Sequence, residues 1–314
     1  MSPDTPCQNV FITGASGCVG QYLLELMVRD DRYHCWLLVR NPDKLKPEIR
    51  THGRVTILRG NLADRDVWYS PLQQADVLIH MATSWDGNDN AYRVNVEQAL
   101  DLMGSINRER CRKILYFSTG SILDNDNRPL EFAKQAGTDY IRSKYLCYER
   151  LGELDVRDRI TVLFPSLIMA ASKDKPVSHV SSGIPTIARW LGLIRFFKAD
   201  GSFHFIHAHD IALVTHYLLD HDCETREILL GNPPITFNEC IEQFCAFFGK
   251  KILWRFELTP PLVQSIIKLF KIQMSPWDYY YIKQRHFSYK RFFHPASFGL
   301  TTPFGTLTGI LAEQ

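Results

Sequence analysis

The sequence predicts an α/β chain built on a doubly wound parallel sheet, followed by a smaller lobe. Three observations carry that reading. Through the first half, short and almost continuously apolar runs alternate with amphipathic helical stretches, as strands covered on both faces require. The first run, Asn9 to Ile12, passes into Gly14-Ala15-Ser16-Gly17-Cys18-Val19-Gly20 and then into a helical stretch reaching Arg29. After residue 165 the alternation breaks down, and Pro165, Pro176, Gly183, Pro185 and Gly201 punctuate an irregular region.

Taken in order, strands are expected at 8–13, 34–39, 54–58, 76–80, 113–118 and 160–164. Helices are expected between most of them, notably at 19–30, 90–107 and 139–154. Beyond the break come a helix at 210–220, a strand at 227–230, a helix at 236–248, a strand at 251–256 and helices at 260–272 and 276–286. The stretch Pro261 to Lys271 is amphipathic and basic; it reads as a helix covering the core, with contact to a membrane surface as the alternative. The expected organisation is a sheet domain over 1–165 and, over 166–314, mainly a substrate-binding lobe with segments returning to the sheet.

Composition narrows the function classes. The 314 residues are 45% hydrophobic, enough for a substantial core. With 36 basic and 34 acidic residues the net charge is +2, which leaves no electrostatic footprint for nucleic acid. Eight cysteines stand at 7, 18, 35, 111, 147, 223, 240 and 245 without a C-x-x-C pair, and read as free thiols in a reducing compartment. No apolar run reaches the ~20 residues of a membrane span, and no signal peptide precedes the first strand, so the expected location is the cytoplasm. His207 and His209 form an i, i+2 pair without the carboxylate or thiolate partners of a metal site; they read as structural, and no metal centre is expected.

Two features carry chemistry. The strand, glycine turn and helix start at 8–20 form an anion site, because backbone N–H groups point outward and the helix dipole favours negative charge. The second is Tyr140-Ile141-Arg142-Ser143-Lys144, which places a phenol and an ammonium one turn apart on the same helical face. A lysine beside a phenol favours the phenolate, so Tyr140 is expected below the ordinary tyrosine pKa near 10. Phe117-Ser118-Thr119-Gly120-Ser121 lies at the carboxyl end of the fifth strand, the edge where open parallel sheets bind ligands.

Read together, these segments resemble the extended short-chain dehydrogenase/reductase family over nearly the whole chain. Thr13-Gly14-x-x-Gly17-x-x-Gly20 is similar to its cofactor loop. Gly60-Asn61-Leu62-Ala63-Asp64 resembles its adenine-contacting segment, and His80-Met81-Ala82 the segment lying beside the cofactor. Asn95 matches the family's helix asparagine. Phe205-Ile206-His207-Ala208-His209-Asp210-Ile211-Ala212 and Ala296-Ser297-Phe298-Gly299-Leu300-Thr301-Thr302-Pro303 resemble its later motifs. The resemblance implies a Rossmann fold with Gly14, Ser16, Gly17, Cys18, Val19, Arg40, Asn61, Leu62, Met81, Ala82, Tyr140, Lys144, Pro165, Ser166 and Leu167 around the cofactor. It implies Tyr140 as proton donor and acceptor, Lys144 on the nicotinamide ribose, and Thr119 as the catalytic hydroxyl, with Ser118 and Ser121 as alternatives. In Phe164-Pro165-Ser166-Leu167 a phenylalanine replaces the family's usual arginine. The interval from Thr119 to Tyr140 is short, which suggests a trimmed lid.

NAD-preferring members of the family carry Asp or Glu after the second strand, whereas this chain has Arg40, with Lys44 near. A guanidinium offers a forked cation to a 2′-phosphate, so NADP(H) is expected over NAD(H). The reaction this implies is interconversion of a carbonyl and an alcohol on a small-molecule substrate. Dihydroflavonol-reductase and sterol-dehydrogenase-like members look nearest, from Val39-Arg40-Asn41-Pro42 and the tail after Thr259. A sugar-nucleotide epimerase or dehydratase is the alternative, and a non-catalytic dinucleotide sensor or scaffold the second. Dense aromatics at Trp277, Tyr279, Tyr280, Tyr281, Phe287, Tyr289, Phe292 and Phe293, with Phe196, Phe197, Phe203 and Phe205, read as lobe packing; if they line a pocket instead, the substrate is hydrophobic. The resemblance also implies a homodimer through helices near 90–107 and 139–154.

Overall fold

The computed structural model describes residues 7–85, 87–269 and 273–313. Seven parallel strands form the central sheet: β1 (Gln8–Thr13), β2 (Tyr33–Val39), β3 (Val55–Arg59), β4 (Val77–His80), β5 (Lys113–Phe117), β6 (Ile160–Pro165) and β7 (Glu227–Leu230). Their order across the sheet is β7-β6-β5-β4-β1-β2-β3. The strand order therefore reverses between β1 and β4, opening a crevice at their carboxyl ends.

The near-continuous apolar runs have a direct cause in this architecture. Alternate side chains of one strand enter opposite cores: Val10 and Ile12 join one, and Phe11, between them, joins the other. The first core lies under α1 (Cys18–Met27) and the helix Ala208–Asp220, through Leu23, Leu24, Met27, Ile211, Val214 and Leu218. The second lies under the helical stretch 88–104 and the helix Asp139–Arg150, through Val96, Leu102, Met103, Ile141 and Tyr145. A third, smaller core joins Leu191, Phe205, Phe244, Ile310 and Leu311 in the C-terminal half.

Later motifs tie the chain's end to this frame. Buried Asp210 accepts a hydrogen bond from Thr302. His207 caps its own helix through Nδ1, and its Nε2 meets Glu313 at 2.9 Å. Tyr22 on α1 donates to the same carboxylate at 2.5 Å.

Four segments depart from the sequence expectation. The stretch expected as an irregular region contains a helix, Ile184–Ile194, with Pro185 in its first turn. Proline there starts a helix, since its missing N–H has no partner to lose. The strand expected at 251–256 shrinks to Phe256–Glu257, paired with Phe197–Lys198; Leu253 and Trp254 face solvent, so their apolar character is not that of a covered strand. The helix at 90–107 starts at Asn88, ends at Gly104 and carries a π turn over Arg93–Gln98. The helix Pro260–Leu269 does not cover the core as expected: Leu262, Lys268 and Leu269 are exposed. Residues 270–272 of that expected helix lie outside the described residues. No described helix is long and apolar enough to cross a membrane.

Candidate active site

The β1–α1 turn is shaped by glycines that nothing else can replace. Gly14 has φ +76°, and a Cβ there would stand 2.7 Å from the backbone of Met81 and Ala82. A Cβ on Gly20 would stand 2.4 Å from the Gly14 oxygen. Gly17 caps α1 without a side-chain bond, and the first turn holds no acidic residue, so no side chain of that turn competes with an anion for its free N–H groups. Thr13 fastens the two strands that bound the crevice. Its hydroxyl bonds His80 Nδ1 at 2.7 Å and accepts from the Ala82 N–H at 3.2 Å, while the Met81 N–H donates to the Thr13 carbonyl. Ser16, Cys18 and Val19 follow in the same turn. Cys18 is no thiolate: burial, and then the Glu313 charge, push its thiol up to about 12.

Asn61 and Leu62 follow the carboxyl end of β3, and Met81 and Ala82 that of β4. Asn61 uses its side-chain oxygen to accept from the Ala63 N–H, which shapes the turn after β3, and Leu62 is buried beneath it. Pro165 ends β6; Ser166 follows with a buried hydroxyl, and Leu167 is exposed. The hydroxyls of Ser118 and Ser166 have no partner among the described residues. Buried polar groups without partners, beside a glycine cradle, fit a polar ligand along this edge. A dinucleotide suits the site on both counts.

Thr119, Tyr140 and Lys144 come to the end of β5. Thr138 caps the helix Asp139–Arg150 through the Ile141 N–H, which fixes Tyr140 in the first turn. The Thr119 hydroxyl lies within interaction range of the Tyr140 phenol and pulls its pKa down, but burial acts in the opposite sense and wins. In the free protein Tyr140 therefore stands above the ordinary tyrosine value, not below it as the sequence suggested. The lysine is not among the groups acting on it. Lys144 is buried, donates from Nζ to the Phe117 carbonyl at 2.8 Å and lies over the Tyr116 ring. Burial lowers its pKa to about 8. His80, buried nearby, falls to about 3 through burial and then the Lys144 charge, so it stays neutral. Of the alternatives, Ser121 donates its backbone N–H to Thr119 Oγ1, while the Ser118 hydroxyl has no partner among the described residues.

Asn95 sits in the π turn and links this helix to the loop after β4. Its Oδ1 accepts from the Thr83 hydroxyl and the Ser84 N–H, and its Nδ2 donates to the Ser84 carbonyl and to Ser143 Oγ. Ser143 in turn donates to the Tyr140 carbonyl. A π turn at such a junction is a common mark of a functional site.

Three residues near the site carry no sequence motif. Trp85, at the end of the loop that Asn95 holds, stacks on the Tyr140 ring with centroids 3.8 Å apart, and against His179 at 5.4 Å. Its indole is the lid over the phenol. Trp85→Ala should uncover Tyr140 and bring its pKa down by about 1 unit or more, toward the ordinary value. A tyrosinate absorbance titration, compared with a variant that also lacks the Tyr140 hydroxyl, reads the shift; an unchanged titration would remove Trp85 from that role. Tyr289 donates from its hydroxyl to the Gly120 carbonyl at 2.8 Å, and Tyr281 reaches Ser121, so part of the aromatic tail borders the loop that carries Thr119. By contrast, Phe196 stacks on Trp254 and Phe205 lies in the third core, away from that border. The short interval from Thr119 to Tyr140 is not open. It holds a turn closed by Leu123 and Pro129 and a helix, Glu131–Ala136, and the tail clamps it through Asn127 and Arg291.

At the other end of the crevice, Arg40 is exposed just past β2. The neighbouring strand brings a second exposed arginine to the same edge of the sheet, since Val39 pairs with Arg59, the last residue of β3. Neither makes an ion pair among the described residues.

Comparison with known proteins agrees with this architecture. A family model described as the NAD dependent epimerase/dehydratase family matches residues 10–231. The chain belongs to that family. Among solved structures it is similar to gox2253, with a TM-score of 0.67 and 19% identity over 90% of each chain. It is also similar to a variant of the UDP-glucuronic acid 4-epimerase of Bacillus cereus in complex with UDP-4-deoxy-4-fluoro-glucuronic acid and NAD. There the TM-score is 0.59 and the identity 17%, over 80% of this chain and 86% of that one. A curated relative, the hybrid PKS-NRPS synthetase pvhA of Talaromyces variabilis, is 28% identical over 156 residues, 46% of this chain and 4% of the synthetase. The chain thus matches only a small part of that relative's length.

Proposed function

We propose that this chain is an NADP(H)-dependent oxidoreductase that interconverts a carbonyl and an alcohol on a small hydrophobic or aromatic metabolite. The observation that carries this is the meeting of Thr119 and Tyr140 at the end of β5, on the edge that also holds the glycine cradle. When bound, the nicotinamide supplies or takes up the hydride. Tyr140 gives the proton to the substrate oxygen in reduction and takes it back in oxidation. Thr119 holds that same oxygen, and Lys144, cationic at neutral pH, would hold the nicotinamide ribose. Asn95 positions the helix through Ser143. Residues 166–314 supply most of the substrate lobe, with Tyr281 and Tyr289 bringing aromatic surface to the catalytic loop. The helices at 88–104 and 139–150 are the proposed homodimer face.

Arg40, with Arg59 at the end of the next strand, favours NADP(H), because guanidinium groups without an ion pair among the described residues suit a 2′-phosphate and ill suit bare ribose hydroxyls. Replacing both with Asp should weaken NADPH binding by roughly tenfold or more per arginine, from charge-assisted hydrogen bonds of about 1.5–3 kcal/mol each, and leave NADH binding far less affected. Titration of both cofactors into both proteins measures this, and equal losses would refute the assignment. The second reading, a sugar-nucleotide epimerase or dehydratase with a closed redox cycle, draws on the family match and would show as retained NAD.

A further inference from the structure

One face of the C-terminal half is apolar and uncovered. The helix Ile184–Ile194 buries Ile184 and Leu191 in the third core but turns Ile187, Trp190 and Leu193 outward, with Trp190 55% exposed. A helix apolar on both sides is normally buried on both. The surface continues without a break. Phe196 stacks on Trp254, Trp254 meets Phe256, and Arg195 donates to the Lys251 carbonyl at 2.7 Å. Leu253 is 79% and Phe256 58% exposed. The Leu258 N–H donates to the Lys198 carbonyl, and two residues later the helix Pro260–Leu269 begins, with Leu262 and Leu269 also facing out.

Basic residues predominate on this face. Segments 184–198, 247–256 and 258–269 carry Arg189, Arg195, Lys198, Lys250, Lys251, Arg255 and Lys268, and no Asp or Glu. These seven exceed the net charge of the whole chain, +2, so the rest of the molecule is acidic overall. Carboxylates occur only alongside: Glu242 pairs with Arg255, and Glu257 lies 3.9 Å from Lys198.

We propose that this face docks on an anionic phospholipid bilayer, lying in the interface without spanning it. Exposed Trp, Leu and Phe flanked by Lys and Arg match what an interfacial surface needs. The apolar groups enter the headgroup boundary, the indoles settle at its level, and the cations meet lipid phosphates and carboxylates. A two-fold contact with a second copy would set a mainly basic face against itself, which disfavours that occupant.

Flotation of the full chain tests this, using vesicles of phosphatidylcholine alone and of phosphatidylcholine mixed with phosphatidylserine. The expected result is salt-sensitive binding to the mixed vesicles and much weaker binding to the neutral ones. The double variant Lys250→Glu, Lys251→Glu should lower the partition about fivefold or more for each charge removed. Trp190→Ser should lower it by a separate, salt-insensitive amount. Both variants alter exposed side chains, so an unchanged NADPH affinity and thermal unfolding certify the fold. Absence of vesicle binding, equal binding to the two lipids, or a concentration-dependent dimer that Trp190→Ser dissociates would overturn the proposal. Capture of an acidic protein without vesicle binding would do the same.

Discussion

Tyr140→Phe should lower kcat by about 10²–10⁴-fold, the usual worth of a positioned proton donor, while NADPH still binds with near-normal affinity. The structure gives the reason for the split. Removing one hydroxyl leaves the ring stacked under Trp85 and touches neither the glycine cradle nor the arginine pair. Steady-state turnover together with a cofactor titration separates the two effects. A variant that keeps its turnover would move the proton to another group, and one that loses the cofactor would make Tyr140 a binding residue only.

Lys144→Met should abolish most turnover and yet make the protein harder to unfold at neutral pH. In the folded chain this buried lysine has its pKa lowered from 10.5 to about 8. The unfolded chain therefore binds the proton more tightly, and unfolding takes one up between about pH 8 and 10.5. Stability from this group rises with pH across that window, and below it the full cost of burying the charge is present. That cost is about 3 kcal/mol. Losing the bond to the Phe117 carbonyl offsets about 1–2 kcal/mol, so Met should gain about 1–2 kcal/mol at pH 7 and lose that advantage as pH approaches 10.5. Urea unfolding of both proteins at neutral and alkaline pH measures it. Equal or lower stability of the variant at pH 7 would show that the ammonium is better solvated than its burial implies.

The strands of the central sheet were legible because a strand covered on both faces leaves no choice of residue. Val77–His80 and Ile160–Pro165 are apolar almost throughout and sit within a residue or two of where the sequence placed them. The glycine turn was legible for a similar reason: Gly14 and Gly20 answer to backbone contacts that admit no Cβ. Features set by long-range packing were not. Trp85 belongs to no spacing pattern, and its stack on Tyr140 depends on a loop held by Asn95. Arg59 becomes interesting only once the register sets it opposite Val39, one residue before Arg40. The expectation for the Tyr140 pKa considered the lysine one turn away and missed two competitors: burial of the phenol, and the Phe117 carbonyl that engages the ammonium. The expected strand at 251–256 went wrong because exposed Leu253, Trp254 and Phe256 imitate the apolar rhythm of a covered element.

The central claim is an oxidoreductase that exchanges NADP(H) with solution. Its most direct test is to purify the full chain, identify any nucleotide it retains, and titrate it with NADPH and NADH by cofactor fluorescence. The account predicts no tightly held nucleotide and a clear preference for NADPH that is lost on replacing Arg40 and Arg59. Protein that comes off purification with firmly bound NAD, and does not exchange it, would contradict that account and establish the closed redox cycle of an epimerase or dehydratase in its place.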